Sequence, residues 1–286
     1  MAFAEVDNAQ LAWQQLGEGP DLILVHGLAT NRAFWFGHAM RLSQQFRVTL
    51  FDLRGHGYSS MPDSGYDIRR LGADILGVMD RLAISRAALV GHSYGGAAAI
   101  EAAVQAPERV HALAVLDARS LLFQPQMWLH ETPDLSPFEA EIADGTEVDW
   151  PREPQVGLRF LEIAARRCLA GQAPGARDPV TPFGEGRGAR KAARQWLDLI
   201  DKTSAWDDFH RPGASVPELR ALHLPTLLMY ADGSRCLKSG DGLRNLWPSA
   251  HFQTVEAAAH FFPLTHADLV IHQVLDFLAP LNLTEA

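Results

Sequence analysis

Short runs of apolar residues alternate along the chain with longer segments in which apolar residues recur at helical spacing. Several of the short runs are apolar throughout, as expected for strands of a parallel sheet that helices cover on both faces. The predicted strands are Leu22–Val25, Val48–Phe51, Ala87–Val90, Leu113–Leu116, Thr226–Tyr230 and Phe252–Val255. The predicted helices are Asp67–Leu82, Tyr94–Gln105 and Leu264–Leu278. This alternation predicts an α/β fold with a mostly parallel sheet.

One long region, residues 121–219, interrupts the alternation because no apolar run in it has the pattern of a strand. Helical spacing returns at Val156–Leu169 and Arg187–Ile200, around a stretch rich in glycine and proline from Gly171 to Gly188. Loops this long are uncommon in compact domains unless they act as lids or binding elements. We therefore predict a core of residues 1–120 and 220–286. Residues 121–219, called the insertion below, are predicted to form a mainly helical cap or lid.

Two sets of side chains in the insertion have both a structural and a functional interpretation. The first set is the four tryptophans Trp128, Trp150, Trp196 and Trp206. We expect them to fill space between helices, and the alternative is that they form a platform for the substrate. Arginines are mostly solvated on protein surfaces, and contact with an anionic substrate is the alternative. The arginines in question are Arg159, Arg166, Arg167, Arg187 and Arg190.

Composition and charge restrict the classes of partner. The chain of 286 residues has 47% hydrophobic and 21% charged residues, as expected for a globular protein that buries a core. Its net charge of −9 argues against nucleic acid or an anionic membrane as a partner, because both need clustered positive charge. Cys168 and Cys236 allow at most one disulfide bond and lack metal-type spacing. With no leader pattern and no long apolar span, we expect a cytoplasmic protein without membrane contact.

The segment Gly91-His92-Ser93-Tyr94-Gly95 has the G-x-S-x-G pattern of a nucleophile turn. It lies between a predicted strand and a predicted alanine-rich helix, and the flanking glycines allow close approach of neighbouring backbone. A sharp turn there presents the hydroxyl clear of the sheet, at a helix N-terminus whose dipole favours developing negative charge. The pattern in this position predicts that Ser93 is a nucleophile, with a purely structural turn as the alternative.

A serine hydroxyl needs an adjacent base to take its proton, and the chain has 12 histidines. His92 is next to Ser93, but adjacent side chains at a strand end point in different directions, so we expect it to pack beneath the turn. His266 and His272 have a spacing that suits neither a metal pair nor a shared helix face. His260 follows the last predicted strand, at the same edge of the sheet as Ser93. We therefore predict that His260 is the general base.

With these residues in place, the chain resembles the α/β-hydrolase superfamily, specifically its cap-bearing branch of small bacterial esterases, thioesterases and carbon–carbon bond hydrolases. The resemblance extends from about Leu11 to the last helix, apart from the insertion. Its motifs, in family order, are His26-Gly27, Asp52-Leu53-Arg54-Gly55-His56-Gly57-Tyr58-Ser59, the Ser93 turn, Pro107-Glu108-Arg109-Val110 and Ala259-His260-Phe261. Together these motifs are specific for the fold and much less so for a substrate.

The resemblance implies an oxyanion hole made by the backbone N–H groups of Leu28 and Tyr94. Such donors stabilise the charge of the tetrahedral intermediate, by about 3–4 kcal/mol each. The side chains of both residues would line the substrate pocket, and the segment Asp52–Ser59 would have a structural role. Serine at position 93 argues against the dehalogenase and epoxide-hydrolase relatives, which use aspartate there.

The third member of the expected triad departs from the family pattern. Relatives usually place the acid in a G-x-x-D loop after the strand that follows the cap, and here that slot falls on Ser234, with Asp232 two residues early. Some relatives take the acid from the end of the preceding core strand, which is Asp117 in this chain. Both Asp117 and Asp232 are therefore predicted as candidates, and Asp117 is slightly preferred.

The residues and the resemblance together predict hydrolysis of an ester or thioester of a small to medium acyl group through an acyl-enzyme. Carbon–carbon bond cleavage and acyl transfer or cyclisation use the same groups and are alternatives. A ligand-binding protein of the same fold without turnover is the alternative from another class, because the acid is displaced. We expect no cofactor and no metal, a small-molecule or carrier-bound acyl substrate, and a monomer or homodimer.

Overall fold

A computed structural model describes residues 2–132, 135–172, 182–281 and 283. Its centre is one sheet of eight strands, which are β1 (Ala2–Val6), β2 (Ala9–Leu16), β3 (Asp21–Val25), β4 (Arg47–Phe51), β5 (Ala87–His92), β6 (Val110–Leu116), β7 (Thr226–Ala231) and β8 (His251–Val255). Their order across the sheet is β1-β2-β4-β3-β5-β6-β7-β8. β1 and β2 pair antiparallel, as do β2 and β4, whereas all other neighbours are parallel.

Eleven α-helices occur in the described ranges. They are α1 (Phe36–Leu42), α2 (Ile68–Arg81), α3 (Tyr94–Gln105), α4 (Pro137–Asp144), α5 (Val156–Leu169), α6 (Arg187–Lys202), α7 (Ala205–Asp208), α8 (Val216–Arg220), α9 (Leu237–Leu246), α10 (Phe262–Thr265) and α11 (Ala267–Leu278). No helix in the part of the chain described here is both long and apolar enough to cross a lipid bilayer.

Helices cover the sheet on both faces, and the strands show the expected consequence. Along β3, Ile23 and Val25 pack with α2 and α3 on one face, whereas Leu22 and Leu24 pack with α1 and α11 on the other. Neighbouring side chains on a strand point to opposite faces, so a strand covered on both sides must be apolar at every position. This doubly covered, mostly parallel sheet confirms the predicted fold class.

All six predicted strands are present in the sheet. The two strands that the apolar pattern did not predict, β1 and β2, form an antiparallel hairpin at the sheet edge, where buried positions are mixed with exposed and half-buried ones. The predicted final helix is divided into α10 and α11 by a break at His266, whose ψ of 40° leaves the helical region.

Between β6 and β7 the chain forms helices α4 to α8, and the described residues there contain no strand beyond one bridge of Met127 with Gln155. Helices α4 to α7 contribute to a third apolar cluster, separate from the two that flank the sheet. Leu219 in α8, at the predicted boundary, packs instead with the core cluster on the α2 and α3 face. Residues 173–181 of the stretch rich in glycine and proline lie outside the described residues.

Candidate active site

Ser93 occupies the sharp turn between β5 and α3. Its backbone has φ 55° and ψ −125°, a conformation that residues other than glycine rarely adopt. The Ser93 N–H donates to the carbonyl of Leu116 on β6 (2.9 Å), and the Ser93 carbonyl accepts from the N–H groups of Gly96 and Ala97 at the start of α3. The surrounding backbone therefore holds the strained residue in place from both sides.

The glycines of the turn permit this close packing. A Cβ atom at Gly91 would lie 2.4 Å from the carbonyl oxygen of Gly95. A Cβ atom at Gly95 would lie 2.3 Å from the carbonyl oxygen of His26, at the end of β3. The turn can thus bring α3 directly against two strand ends only because both positions lack a side chain.

His260 connects Ser93 to Asp117 through the two nitrogens of its ring. The Nε2 atom of His260 lies 3.0 Å from the Ser93 hydroxyl oxygen, and its Nδ1 atom lies 2.6 Å from Oδ2 of Asp117. An ionised carboxylate only accepts hydrogen bonds, so Nδ1 carries the proton and Nε2 of the neutral ring is left to accept from the serine hydroxyl. This is the geometry that a serine, a base and an orienting acid require.

Asp117 is fully buried directly after β6, at a positive φ of 52°. Its Oδ1 atom accepts from the N–H of Ala231 (3.1 Å), and its Oδ2 atom accepts from the hydroxyl of Ser234 as well as from His260. The family's usual acid slot, Ser234, therefore holds a residue that hydrogen-bonds the carboxylate supplied by the neighbouring strand.

Asp232 is not brought to His260. It is exposed, and its carboxylate accepts hydrogen bonds from the backbone N–H groups of Ala257, Ala258 and Gly233. These bonds lower the pKa of Asp232, and the hydrogen bond from Ala257 has the largest effect. Asp232 thereby ties the loop after β7 to the loop that carries His260, so it can act on the base only through the backbone.

The protonation of His260 depends on its neighbours. Burial disfavours the charged imidazolium, but the hydrogen bond to Asp117 and the nearby Cys236 sulfur favour it, and the pKa of His260 rises above its ordinary value. Cys236 was not predicted to lie here. Its sulfur, the Asp117 carboxylate and a His260 ring nitrogen all lie within 4.8 Å of one another. The three are of metal-binding type, although His260 and Asp117 are joined by a hydrogen bond in this arrangement.

His92 lies beneath the turn, as expected, and is fully buried. Its ring stacks on Phe34 at 4.9 Å, and its Nε2 donates to the carbonyl oxygen of His260 at 2.8 Å. Burial, followed by the proximity of His260, lowers the pKa of His92 well below its ordinary value. A neutral His92 therefore holds the backbone of the proposed base in place.

Two other buried histidines hold the loop that carries Leu28. His26 Nε2 accepts from the N–H of Leu53 (3.0 Å), and His56 Nε2 accepts from the N–H of Ala29 (3.1 Å). Both rings must be neutral to accept at Nε2, and burial lowers both pKa values, that of His26 to about 3. The segment Asp52–Ser59 thus has the structural role that the resemblance implied.

Ser93 and His260 open into a cavity of about 320 Å³. Leu28 and Tyr94 both line it, as predicted, and the Tyr94 hydroxyl donates to the Tyr66 carbonyl at 2.8 Å. Tyr94 is also the first residue of α3, where backbone N–H groups have no partner within the helix. Apolar side chains from the core and from the insertion form most of the walls; they are Leu28, Ile68, Leu121, Met127, Leu135, Leu158, Leu161, Phe209 and Phe261.

The arginines and tryptophans singled out in the insertion are not among the residues that line this cavity. Trp150 and Trp196 are buried among the helices, which agrees with their structural interpretation. Arg166 and Arg167 form ion pairs with acidic side chains, as does Arg159. The arginines that do line the cavity, Arg119 and Arg235, were not predicted, because each belongs to a loop after a core strand and no motif includes it.

The family model for the α/β-hydrolase fold matches residues 20–146 of this chain. The pimeloyl-[acyl-carrier protein] methyl ester esterase of Aliivibrio fischeri is 36% identical in an alignment that covers 95% of this chain and 98% of that protein. The chain therefore belongs to the α/β-hydrolase family.

Other relatives match over less of their length. The 2-(acetamidomethylene)succinate hydrolase of Mesorhizobium japonicum is 32% identical over 144 residues, half of this chain and 49% of that protein. For several further relatives the match spans between a third and two fifths of their length. Among solved structures, the enol-lactonase of Burkholderia xenovorans LB400 has a similar fold, with a TM-score of 0.71, 23% identity, and coverage of 97% of this chain and 100% of that one.

Proposed function

We propose that this protein is a serine esterase that hydrolyses its substrate through an acyl-enzyme, with Ser93 as nucleophile, His260 as general base and Asp117 as the acid that orients it. The observation that carries the proposal is the hydrogen-bonded chain from Ser93 through His260 to Asp117 at the end of a largely apolar cavity. Each separation is within the reach required for proton transfer or for orientation of the base.

In the proposed reaction, the Ser93 oxygen attacks the carbonyl carbon of the ester while His260 Nε2 takes the hydroxyl proton. The tetrahedral intermediate collapses, the alcohol leaves with the proton that His260 returns, and an acyl-serine remains. Water then repeats the attack with His260 as base, releasing the carboxylic acid and restoring Ser93. The buried Asp117 carboxylate keeps the His260 proton on Nδ1 and stabilises the imidazolium at each step.

The backbone N–H groups of Leu28 and Tyr94 are proposed to form the oxyanion hole. The position of each residue supports this proposal: Leu28 lies in the loop that His26 and His56 hold, and Tyr94 starts α3 beside the nucleophile. Rigid donors of this kind need no reorganisation when charge develops on the carbonyl oxygen.

The insertion is proposed to act as a cap, since Leu158 and Leu161 of α5 face the same cavity as Ser93. The substrate is proposed to be an ester of a small acyl group, free or carrier-bound. The support for a carrier-bound ester is that relatives matching nearly this whole chain are named pimeloyl-[acyl-carrier protein] methyl ester esterases.

Labelling with a fluorophosphonate probe, combined with turnover of short methyl esters, tests this proposal. We expect labelling and methanol release by the unaltered protein and neither by Ser93→Ala. Ser85→Ala, at an exposed serine outside the cavity, is the matched control and should behave like the unaltered protein. Ligand binding without labelling or turnover would instead indicate a binding protein of the same fold, and turnover of dienones but not of esters would indicate carbon–carbon cleavage.

A further inference from the structure

The cavity walls contain two arginines and one glutamate among the described residues, and one of the arginines forms an ion pair with the glutamate. Arg235 Nη2 lies 2.5 Å from Oε1 of Glu139, and both side chains are largely buried. The other oxygen of Glu139 accepts from the N–H of Ser136 at 3.1 Å. The third charged group is Arg119, which follows Asp117 by two residues.

Arg119 has no carboxylate partner within 4.0 Å in the described parts of the chain. Its Nε donates to the carbonyl oxygen of Gln124 (2.9 Å), its Nη1 to the side-chain oxygen of Gln155 (2.6 Å), and its Nη2 to the carbonyl oxygen of Pro125 (2.8 Å). All three acceptors are neutral. A guanidinium has five N–H donors, so these bonds leave two, one on each terminal nitrogen.

A half-buried cation without a counter-ion is costly, because neutral acceptors replace only part of the hydration that it loses. Burial lowers the pKa of Arg119, but a guanidinium stays charged at neutral pH. The three hydrogen bonds also fix its plane between the loop after β6 and the start of α5. A guanidinium held in one plane with two free N–H groups is suited to bind a planar carboxylate. Its single positive charge balances the one negative charge of that carboxylate.

We propose that Arg119 binds a carboxylate of the substrate, so that the preferred substrates are half-esters of dicarboxylic acids. This inference rests on the proposed esterase function. Ser93 would attack the ester group at one end of the substrate, and Arg119 would bind the carboxylate at the other end. It differs from contact between the insertion's arginines and an anionic substrate, because those arginines are not among the residues that line the cavity.

The test compares monomethyl adipate with methyl hexanoate, which have the same acyl chain length and differ in the terminal carboxylate. We expect the unaltered protein to have the higher kcat/KM for monomethyl adipate. Arg119→Gln should lower that value by at least about 30-fold, mainly through KM, while leaving methyl hexanoate within about threefold. Arg119→Lys should retain part of the preference, because it keeps the charge and loses the fork.

Arg86→Gln is the matched control, since Arg86 is also half-buried but does not line the cavity. Equal loss on both esters in Arg119→Gln would show that Arg119 only holds the loop after β6, and would overturn the inference. So would equal turnover of the two esters by the unaltered protein.

A binding measurement separates this inference from the proposed function. Calorimetry with Ser93→Ala should show tighter binding of adipate than of hexanoate, and Arg119→Gln in that background should remove the difference. This result would support Arg119 as a carboxylate site even if no ester were turned over. No preference for adipate would overturn the inference even if Ser93 were labelled and active on neutral esters.

Discussion

At the scale of single residues, the two aspartates that the sequence offered as the acid have distinct surroundings. Asp117 contacts the His260 ring, whereas Asp232 contacts only backbone N–H groups. Asp117→Asn should therefore lower kcat by about 10³–10⁴-fold, because an amide stabilises the wrong tautomer of the imidazole. Asp232→Asn should change kcat by less than about tenfold. Steady-state kinetics on one ester decide between them, and similar small losses in both variants would contradict the assignment of Asp117.

The sequence could predict the serine and the histidine as candidates because each lies in a motif at a strand end. It could not choose the acid, since the choice depends on which strand end faces His260. β6 lies between β5 and β7, so Asp117 reaches both the Ser93 turn and the loop after β7. Cys236 and Arg119 had no sequence signal at all, because their roles depend on side chains that are distant along the chain.

The raised pKa of His260 has a consequence for the pH dependence of the reaction. Only the neutral ring can accept the Ser93 proton, so kcat/KM should fall as the pH drops through the pKa of the free enzyme. Because the hydrogen bond to Asp117 and the nearby Cys236 sulfur outweigh burial, that fall should be centred above the ordinary value of 6.5.

Cys236→Ala provides the test, because it removes one of the contacts that raise the pKa of His260 and leaves the hydrogen bond to Asp117. The acidic limb of the kcat/KM profile should move to lower pH. Cys168→Ala, at the other free and buried cysteine, should leave the limb in place. An unchanged limb in Cys236→Ala would show that the thiol does not influence the base.

At the scale of secondary-structure elements, the doubly covered strands were predictable because burial on both faces imposes an uninterrupted apolar run. The same reasoning missed the β1–β2 hairpin, whose residues face partly toward solvent at the sheet edge. Helix α3 was predicted with both of its ends, Tyr94 and Gln105, since the turn motif precedes it and Pro107 follows its end. Local composition therefore predicts most of the sheet, including the edge strand β8, and the antiparallel hairpin is the weak point.

The junction between β3, β5 and α3 depends on the absence of a side chain at Gly95. Gly95→Ala would place a methyl group against the backbone carbonyls of Val25 and His26, so the turn must move. We expect a loss of about 1–3 kcal/mol in the free energy of unfolding, measured by urea denaturation, and lower activity. Gly188→Ala in α6, where a Cβ atom would meet nothing within 4 Å, is the matched control and should keep or slightly raise stability. Equal stability of the two variants would show that the junction tolerates a shift of backbone.

At the scale of the whole molecule, the cavity belongs to neither the core nor the insertion alone. The core supplies Ser93 in the turn after β5 and His260 in the loop after β8, and the insertion contributes Leu158 and Leu161 to the apolar wall. In the proposed function, the reacting groups and part of the surface that meets the acyl group are therefore encoded in different parts of the chain. We therefore expect that changes in the insertion alter the substrate preference without altering the proposed chemistry.

Leu161→Trp tests this separation, because a larger side chain on α5 should fill part of the cavity. Turnover of acetate esters should stay within about threefold, since a short acyl group does not reach the wall. Hexanoate esters should lose on the order of 10-fold to 200-fold in kcat/KM, the range expected for a methylene or two that no longer fits. Ile163→Trp on the same helix, at a half-buried position outside the cavity, controls for disturbance of α5 and should not change the ratio between the two esters. A uniform loss across chain lengths in Leu161→Trp alone would mean that α5 positions the reacting groups, and that the insertion does more than select the acyl chain.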